Sequence, residues 1–408
     1  MKPMGSIPPG FETAPDGRLI VAGHDGEHWV AQAGDTPLFL YDFALIRARL
    51  AALRAAMPAG LRIHYAMKAN PMPELVCAMG PLVDGLDVAS AGEMEIAVSA
   101  HAHVSFAGPG KRDRELEAAI RAEVTLNLES EGEANRALAI GQTLGIRPKL
   151  AVRVNPDFDL KGSGMRMGGG AKPFGVDADR AAALVLHIIR EGADWRGFHI
   201  FAGSQALDAA AIAETQRETV ALAAQLAEDA GAAPPLVNLG GGLGIPYFPG
   251  DKPVDIAHVG SELAETLSNR PASLAASDFA MELGRYLVGE AGVYLCRILD
   301  RKLSKGEVFL ITDGGLHHLL AATGNFGTVV RRNYPVANAS RFGMEPVEEA
   351  SITGCLCTPL DRIADQIMLP QSEVGDLIAV FMTGAYGPSS SPERFLGHGP
   401  AQELLVNC

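Results

Sequence analysis

Between residues 61 and 285, short apolar runs alternate with longer alanine-rich stretches whose apolar residues recur at helical spacing. The runs LRIHYAMK, GLDVAS, HVSFAG, VTLNLES, KLAVRVN, RGFHIFAG, LVNLGGG and DFAMELGR read as strands. Segments such as AGEMEIAVSA, DRELEAAIRA, EGEANRALAIGQTLG and AAALVLHIIREG supply helices between them. This alternation predicts βα units around a parallel sheet. Eight units in about 225 residues match a closed (β/α)8 TIM barrel. The rival is an open doubly wound sheet, but no strand is followed by GxGxxG with an acid about 20 residues on.

Beyond Glu282 the pattern changes to strand-like runs separated by turns, as in EVFLITDGG, VEEASITGCLC, GDLIAVFMTGAYG and QELLV. These predict a C-terminal antiparallel β domain, joined by an N-terminal strand at TPLFLYD. The expected division is an N-terminal segment, 1–42, giving a strand to the β domain, a barrel over 43–282, and a β-sandwich or barrel-like domain over 283–408. The Pro/Gly-rich residues up to about 35 are expected to be partly loose.

Composition narrows the function. The 408 residues are 48 % hydrophobic, enough for a sizeable core. Forty-six glycines cluster beside the strand-like runs, which suits turns that approach a ligand closely. A net charge of −14 opposes attraction to nucleic acid or anionic membrane. The N-terminal residues lack a secretory pattern and no apolar run is long enough to span a bilayer, so a cytoplasmic protein is expected. Five cysteines, at 77, 296, 355, 357 and 408, do not form a disulfide framework in a chain this long and are expected to be reduced.

In a barrel the chemistry sits at the C-terminal strand ends. Here those ends carry Lys68, Asp87 with Ser90, Gly108, Glu129, Arg153 with Asn155, Gly203 with Ser204, Gly240 to Gly242, and Glu282 with Arg285. Lys68 closes an apolar run and admits two readings. Its stem can snorkel while its head pairs with a carboxylate such as Asp87. Alternatively, a desolvated amine at a barrel mouth is a nucleophile toward an aldehyde such as that of pyridoxal phosphate. The Gly240–Gly242 triplet reads either as a plain turn or as backbone amides converging on an anion. Glu282 and Arg285 read as a structural ion pair, or as a carboxylate for a pyridine nitrogen and a guanidinium for phosphate.

The motifs YAMKANP, DVASAGE, NLESEGE, VRVNP, GFHIFAGSQ, NLGGGLG, ELGR, TDGG, CTPLD and GAYG occur in the order seen in the ornithine/diaminopimelate/arginine decarboxylase family. From about residue 36 onward the chain resembles these fold-type III pyridoxal-phosphate enzymes. The resemblance implies that Lys68 carries the cofactor as a Schiff base and that Gly240 to Gly242, Ser204, Arg285 and Tyr386 hold its phosphate. It also implies Glu282 on the ring nitrogen, with Asp87 and Arg153 around the ring. The site would be completed across a homodimer, with Asp313 and Cys357 coming from the partner chain and Cys357 supplying the proton after carbon dioxide leaves. Cys355 is left as a small buried hydrophobe.

Two positions depart from the family pattern. Where a histidine commonly faces the ring, two residues before the Gly-Ser pair, this chain has Phe201, with His199 two positions earlier. After Cys357 stands Thr358 rather than the acid of diamine-forming members, which disfavours free ornithine, lysine or diaminopimelate. CTPLD and KGSGMRMGGGAKPFG look like a subgroup found with exosortase and exopolysaccharide systems, similar also to decarboxylases of carrier-tethered aminoacyl groups. The expected activity is pyridoxal-phosphate-dependent α-decarboxylation of an amino acid or amino-acid derivative. An amino-acid racemase and a silent decarboxylase-like binder are the rivals.

The remaining features carry less. The loop 162–175, with six glycines and Lys161, Arg166 and Lys172 close by, reads as a mobile connection or a lid. His101 with His103 and His317 with His318 have no carboxylate or cysteine at ligand spacing, so no metal is expected. The basic clusters KRDR (111–114) and RR (331–332) read as solvated faces that could touch an acidic carrier protein.

Overall fold

The computed structural model describes residues 1–323 and 332–408. Arg331 of the second basic cluster lies outside the described residues. The chain divides into two compact units, one of residues 51–245 and 253–284, the other of residues 1–50, 246–252 and 285–408.

The first unit is the barrel. Its strands are β1 Arg62–Ala66, β2 Gly85–Val88, β3 Val104–Phe106, β4 Thr125–Leu128, β5 Lys149–Asn155, β6 Asp194–Ile200, β7 Leu236–Asn238 and β8 Asp278–Leu283. All neighbours pair in parallel: β8 pairs β1, β4 pairs β5, and the sheet closes on itself. Seven strands lie within their apolar runs, and β6 begins two residues before RGFHIFAG, at Asp194. Register brings distant polar residues onto one face, with Glu282 beside His64 and His199 between Arg153 and Asn238.

Two of the family-like motifs are helix starts. In DVASAGE, Ser90 caps helix Ala91–Ala100 by accepting from the Glu93 N–H, and the Glu93 carboxylate accepts from the Ala89 N–H at 2.7 Å. In NLESEGE, Ser130 and Glu133 repeat the arrangement at helix Glu131–Leu144. Such reciprocal caps satisfy amides that the helix leaves unpaired, each worth about 1 kcal/mol.

The KRDR reading needs correction. Arg112 and Arg114 are exposed, but Lys111 is buried, its ammonium bonded to Glu133 at 2.6 Å and to the carbonyls of Gly108 and Asn127. A buried ammonium requires such partners, and Glu133, 22 residues away, supplies the charge.

In the second unit, strand Gly292–Ser304 pairs antiparallel with Glu307–Thr312, Leu377–Phe381 and Leu38–Asp42, the last lying in the TPLFLYD run. The sheet is mixed rather than purely antiparallel. Glu307–Thr312 runs parallel to Glu348–Thr353, and Leu38–Asp42 parallel to Gln402–Val406. Residues 246–252 belong to this unit, where the Tyr247 ring packs 4.7 Å from Tyr334. Nor are the first 35 residues simply loose. They hold a small sheet, Glu12–Thr13, Leu19–Val21 and His24–Asp25, and helix Gly26–Ala33. Buried Leu19, Val21 and Trp29 anchor them, the Trp29 indole donating to the Val21 carbonyl. Among the described residues no helix is long and apolar enough to cross a membrane.

Candidate active site

β1 ends at Ala66, and Lys68 sits on the 3-10 turn Met67–Ala69 that follows. Its neighbours Met67 and Ala69 are buried, but Lys68 itself is exposed, contrary to the desolvation inferred from the apolar run. The turn points it out of the strand line, with Nζ 5.5 Å from the centroid of the Phe201 ring. Asp87 is engaged elsewhere: its carboxylate accepts from the Ser105 hydroxyl and lies 3.5 Å from His64 Nδ1. The other oxygen, Oδ2, is buried with no hydrogen-bond partner among the described residues. Burial disfavours a charge on His64, yet the carboxylates of Asp87, Glu282 and Asp84 together outweigh it and hold the imidazole above its ordinary value.

Arg153 on β5 is buried and donates to Glu129 at 2.8 Å. Glu129 also accepts from the N–H groups of Gly108 and Gly175, at 2.6 and 2.7 Å. Burial would raise its carboxyl; Arg153 prevails and lowers it. The loop is therefore tied down at Gly175. It is tied again by backbone pairing of Met165–Arg166 with Gly203–Ser204, the bridge on which Ser204 sits half-buried. Lys161 faces away, bound to Glu214 on helix Ala209–Asp229.

At the other side of the barrel mouth, His199 Nε2 lies 2.9 Å from Glu282 Oε2, and the Asn238 amide donates to the same oxygen at 3.3 Å. Glu282 is buried, which alone would raise its carboxyl; His199, with Lys68 and Arg153, outweighs this and holds it well below the ordinary carboxylate value. His199 thus faces Glu282, while Phe201, just past β6, is the aromatic ring near Lys68. Phe201 also borders the glycine turn, where a Cβ on Gly240 would fall 3.0 Å from its ring. A Cβ on Gly241 would fall 2.2 Å from the Glu282 carbonyl oxygen. Gly240 and Gly242 have φ of +70° and +109°, which disfavours side chains. The Gly240 N–H bonds to Asn238 Oδ1, so convergence of all three amides on one anion does not hold.

In the second unit, Arg285 is stacked 4.5 Å over the Tyr386 ring and donates to the Tyr247 hydroxyl at 3.0 Å. Tyr386 has φ +56°, a strained position for a non-glycine residue. Asp313 accepts from the Thr36 hydroxyl and from the Arg297 N–H, and burial raises its carboxyl. Cys357 is exposed on a turn whose Thr358 hydroxyl accepts from the Leu360 N–H. Cys355 is half-buried, its thiol donating to the Asp313 carbonyl. Asp361, the last residue of CTPLD, had no assigned part. Its buried carboxylate accepts from Leu316 N–H at 2.7 Å and Leu356 N–H at 2.8 Å, joining TDGG to CTPLD. Gly315 and Gly354 make room for it, since a Cβ on either would lie within 2.3 Å of a carboxylate oxygen. His64, Asn238 and Asp361 escaped sequence reading; alternation along β1 and β7 was the signal available for the first two.

Pyridoxal phosphate requires an amine for its aldehyde, a partner for its ring nitrogen and donors for its phosphate. Exposed Lys68, Glu282 with its carboxyl held low and the side-chain-free glycine turn answer those requirements within the barrel, and buried Asp87 Oδ2 has no hydrogen-bond partner among the described residues. These residues fit the cofactor.

Comparison with known proteins agrees. The family described as "Pyridoxal-dependent decarboxylase, pyridoxal binding domain" matches residues 43–289. The chain is 34 % identical to the L-glutamyl-[BtrI acyl-carrier protein] decarboxylase of Niallia circulans, covering 91 % of this chain and 89 % of that one. It is 31 % identical to the diaminopimelate decarboxylase of Aquifex aeolicus, covering 96 % and 91 %. The crystal structure of the diaminopimelate decarboxylase from M. jannaschii superposes with a TM-score of 0.87 at 25 % identity, covering 98 % of this chain and 93 % of that one. The chain therefore belongs to the pyridoxal-dependent decarboxylase family, as a fold-type III carboxy-lyase that uses pyridoxal phosphate to remove the α-carboxylate of an amino acid or amino-acid derivative.

Proposed function

We propose that Lys68 holds the cofactor aldehyde, Glu282 faces the ring nitrogen, Phe201 covers one ring face, and Asp87 and Arg153 flank the ring. Gly241, Gly242, Ser204, Arg285 and Tyr386 take the phosphate, with Gly240 shaping the turn. The observation that carries this reading is the buried carboxylate of Glu282, its Oε2 2.9 Å from His199 Nε2 and 3.3 Å from the Asn238 amide nitrogen. When bound, the cofactor supplies a cationic ring that accepts the electron pair left as carbon dioxide departs. Glu282 keeps the proton on the ring nitrogen, and His199 and Asn238 orient Glu282 through one oxygen. Lys68 would be the amine that holds the cofactor aldehyde in place at the end of β1. Cys357 of the partner subunit delivers a proton to the α-carbon, with Asp313 and Thr358 beside the substrate, so the working unit is a homodimer with shared sites.

The substrate is an aminoacyl group tethered to a carrier protein. Thr358 offers no carboxylate to a second ammonium, which would be expensive to bury unpaired. A relative named for a glutamyl carrier-protein substrate spans most of this chain. Five free cysteines suit a reducing, cytoplasmic setting.

The test is borohydride reduction of the holoenzyme with peptide mapping, then carbon dioxide release from glutamyl-loaded carrier protein, free glutamate, ornithine, lysine and diaminopimelate. Trapping on Lys68 and preference for the loaded carrier are expected. Trapping on another lysine would overturn the cofactor assignment, and faster turnover of a free diamino acid would overturn the substrate.

A further inference from the structure

Along the sequence, no carboxylate or cysteine stands at ligand spacing beside the histidine pair His317–His318. The fold changes that. His318 is a satisfied core histidine, one ring nitrogen 3.1 Å from the Tyr294 hydroxyl and the other 2.9 Å from the Gly399 carbonyl. His317 is different: it is fully buried, yet neither ring nitrogen has a hydrogen-bond partner among the described residues. Neutral imidazole carries one donor and one acceptor, and leaving both unmet inside a protein is unfavourable. Beside it stand Cys355 and His398, with Cys355 Sγ 3.7 Å from His398 Nδ1. One ligand atom from each of the three residues lies within 4.8 Å of the others.

We propose that His317, Cys355 and His398 form a site for a divalent transition metal, zinc by the donor set, with water in the fourth position. Two imidazoles and a thiolate suit zinc, whose bonds of about 2.0–2.3 Å place tetrahedral ligand atoms somewhat under 4 Å apart. The Cys355–His398 separation already matches; His317 needs a small approach. On binding, the Cys355 thiol releases its proton to solvent, the thiolate sulfur leaves the Asp313 carbonyl, and each imidazole donates a lone pair. No oxidation state changes. His317 binds through a neutral ring nitrogen, both of which lack a hydrogen-bond partner among the described residues.

The three ligands come from separate segments of the second unit: the loop after strand Glu307–Thr312, the turn after Glu348–Thr353, and the stretch before Gln402–Val406. A metal there would clip these segments together, two residues from Cys357. Its role is to position that turn.

The experiment is zinc titration of chelator-treated holoenzyme, with bound metal measured by equilibrium dialysis and elemental analysis, in wild type, His317→Ala, Cys355→Ser, His398→Ala and Cys77→Ser. Expected is one zinc per chain in wild type and Cys77→Ser, with affinity at least tenfold weaker in the other three. Cobalt substitution should give tetrahedral d–d bands at the red end of the spectrum, lost in Cys355→Ser. His398 is exposed, so its variant tests the site even where His317→Ala fails to fold. No stoichiometric zinc in wild type, or undiminished binding in a folded His317, Cys355 or His398 variant, would overturn the proposal.

Discussion

His199 and Glu282 meet on adjoining regions of the barrel interior, Nε2 to Oε2 at 2.9 Å, both buried and both presented by strand ends. The contact assigns the two residues different tasks. In the proposed site Glu282 is the carboxylate that meets the cofactor, and His199 acts through it.

Glu282→Gln keeps the shape and removes the charge. Turnover should fall by about a hundredfold or more, the scale on which a single preorganised electrostatic group acts, while cofactor absorbance stays near wild type. Undiminished kcat at full cofactor occupancy would rule out the electron-sink role.

His64 and Asp87 predict a pH dependence of stability. The folded-state value of His64 is raised above 6.5, burial opposing and Asp87, with smaller help from Glu282 and Asp84, outweighing it. The proton on His64 therefore stabilises the folded state fully below about pH 6.5, and this contribution is lost as pH rises through the raised value. Denaturant unfolding at several pH values from 6 to 9 should show the decline, and Asp87→Asn should flatten it. An equally steep decline in Asp87→Asn would assign the effect to another group.

The barrel was legible because its strands and helices announce themselves locally, through apolar runs and helical spacing. Ser90 and Ser130 were legible as motif members, though their task as helix caps emerged only with Glu93 and Glu133 in place. What could not be read was pairing across sequence distance. Lys111 looked like a solvated cation because Glu133 lies 22 residues on. The parallel neighbours in the second sheet, and the approach of Cys355 and His398 to His317, are set by tertiary contacts that no local window contains. Lys68 was misjudged for a related reason: an apolar run buries a strand, but the turn that ends it can carry its side chain back to solvent.

Arg285 offers a test that separates phosphate binding from ring binding. A charge-assisted hydrogen bond contributes about 1.5–3 kcal/mol, so Arg285→Ala should weaken pyridoxal phosphate roughly 10- to 150-fold. Pyridoxal, lacking the phosphate, should bind wild type and variant alike. Equal losses for both ligands would move Arg285 from the phosphate to a structural task with Tyr386 and Tyr247.

Asp361 ties the TDGG and CTPLD segments through the N–H groups of Leu316 and Leu356. Asp361→Ala leaves both donors without that acceptor, at about 1–3 kcal/mol for each that stays buried and unpaired. Unfolding free energy should drop by about that amount or more. Because Cys357 sits in the same turn, kcat should fall while cofactor content is unchanged. Gly315 supplies a second reading of the same contact: its added Cβ would lie 2.3 Å from Asp361 Oδ1. Gly315→Ala should therefore be costly in wild type and markedly less so once the carboxylate is gone. The double-mutant cycle measures this coupling, which for residues in contact reaches about 0.5–3 kcal/mol. Strictly additive losses would mean that the two segments are held together by something other than the Asp361 carboxylate, and that the glycine there is not explained by it.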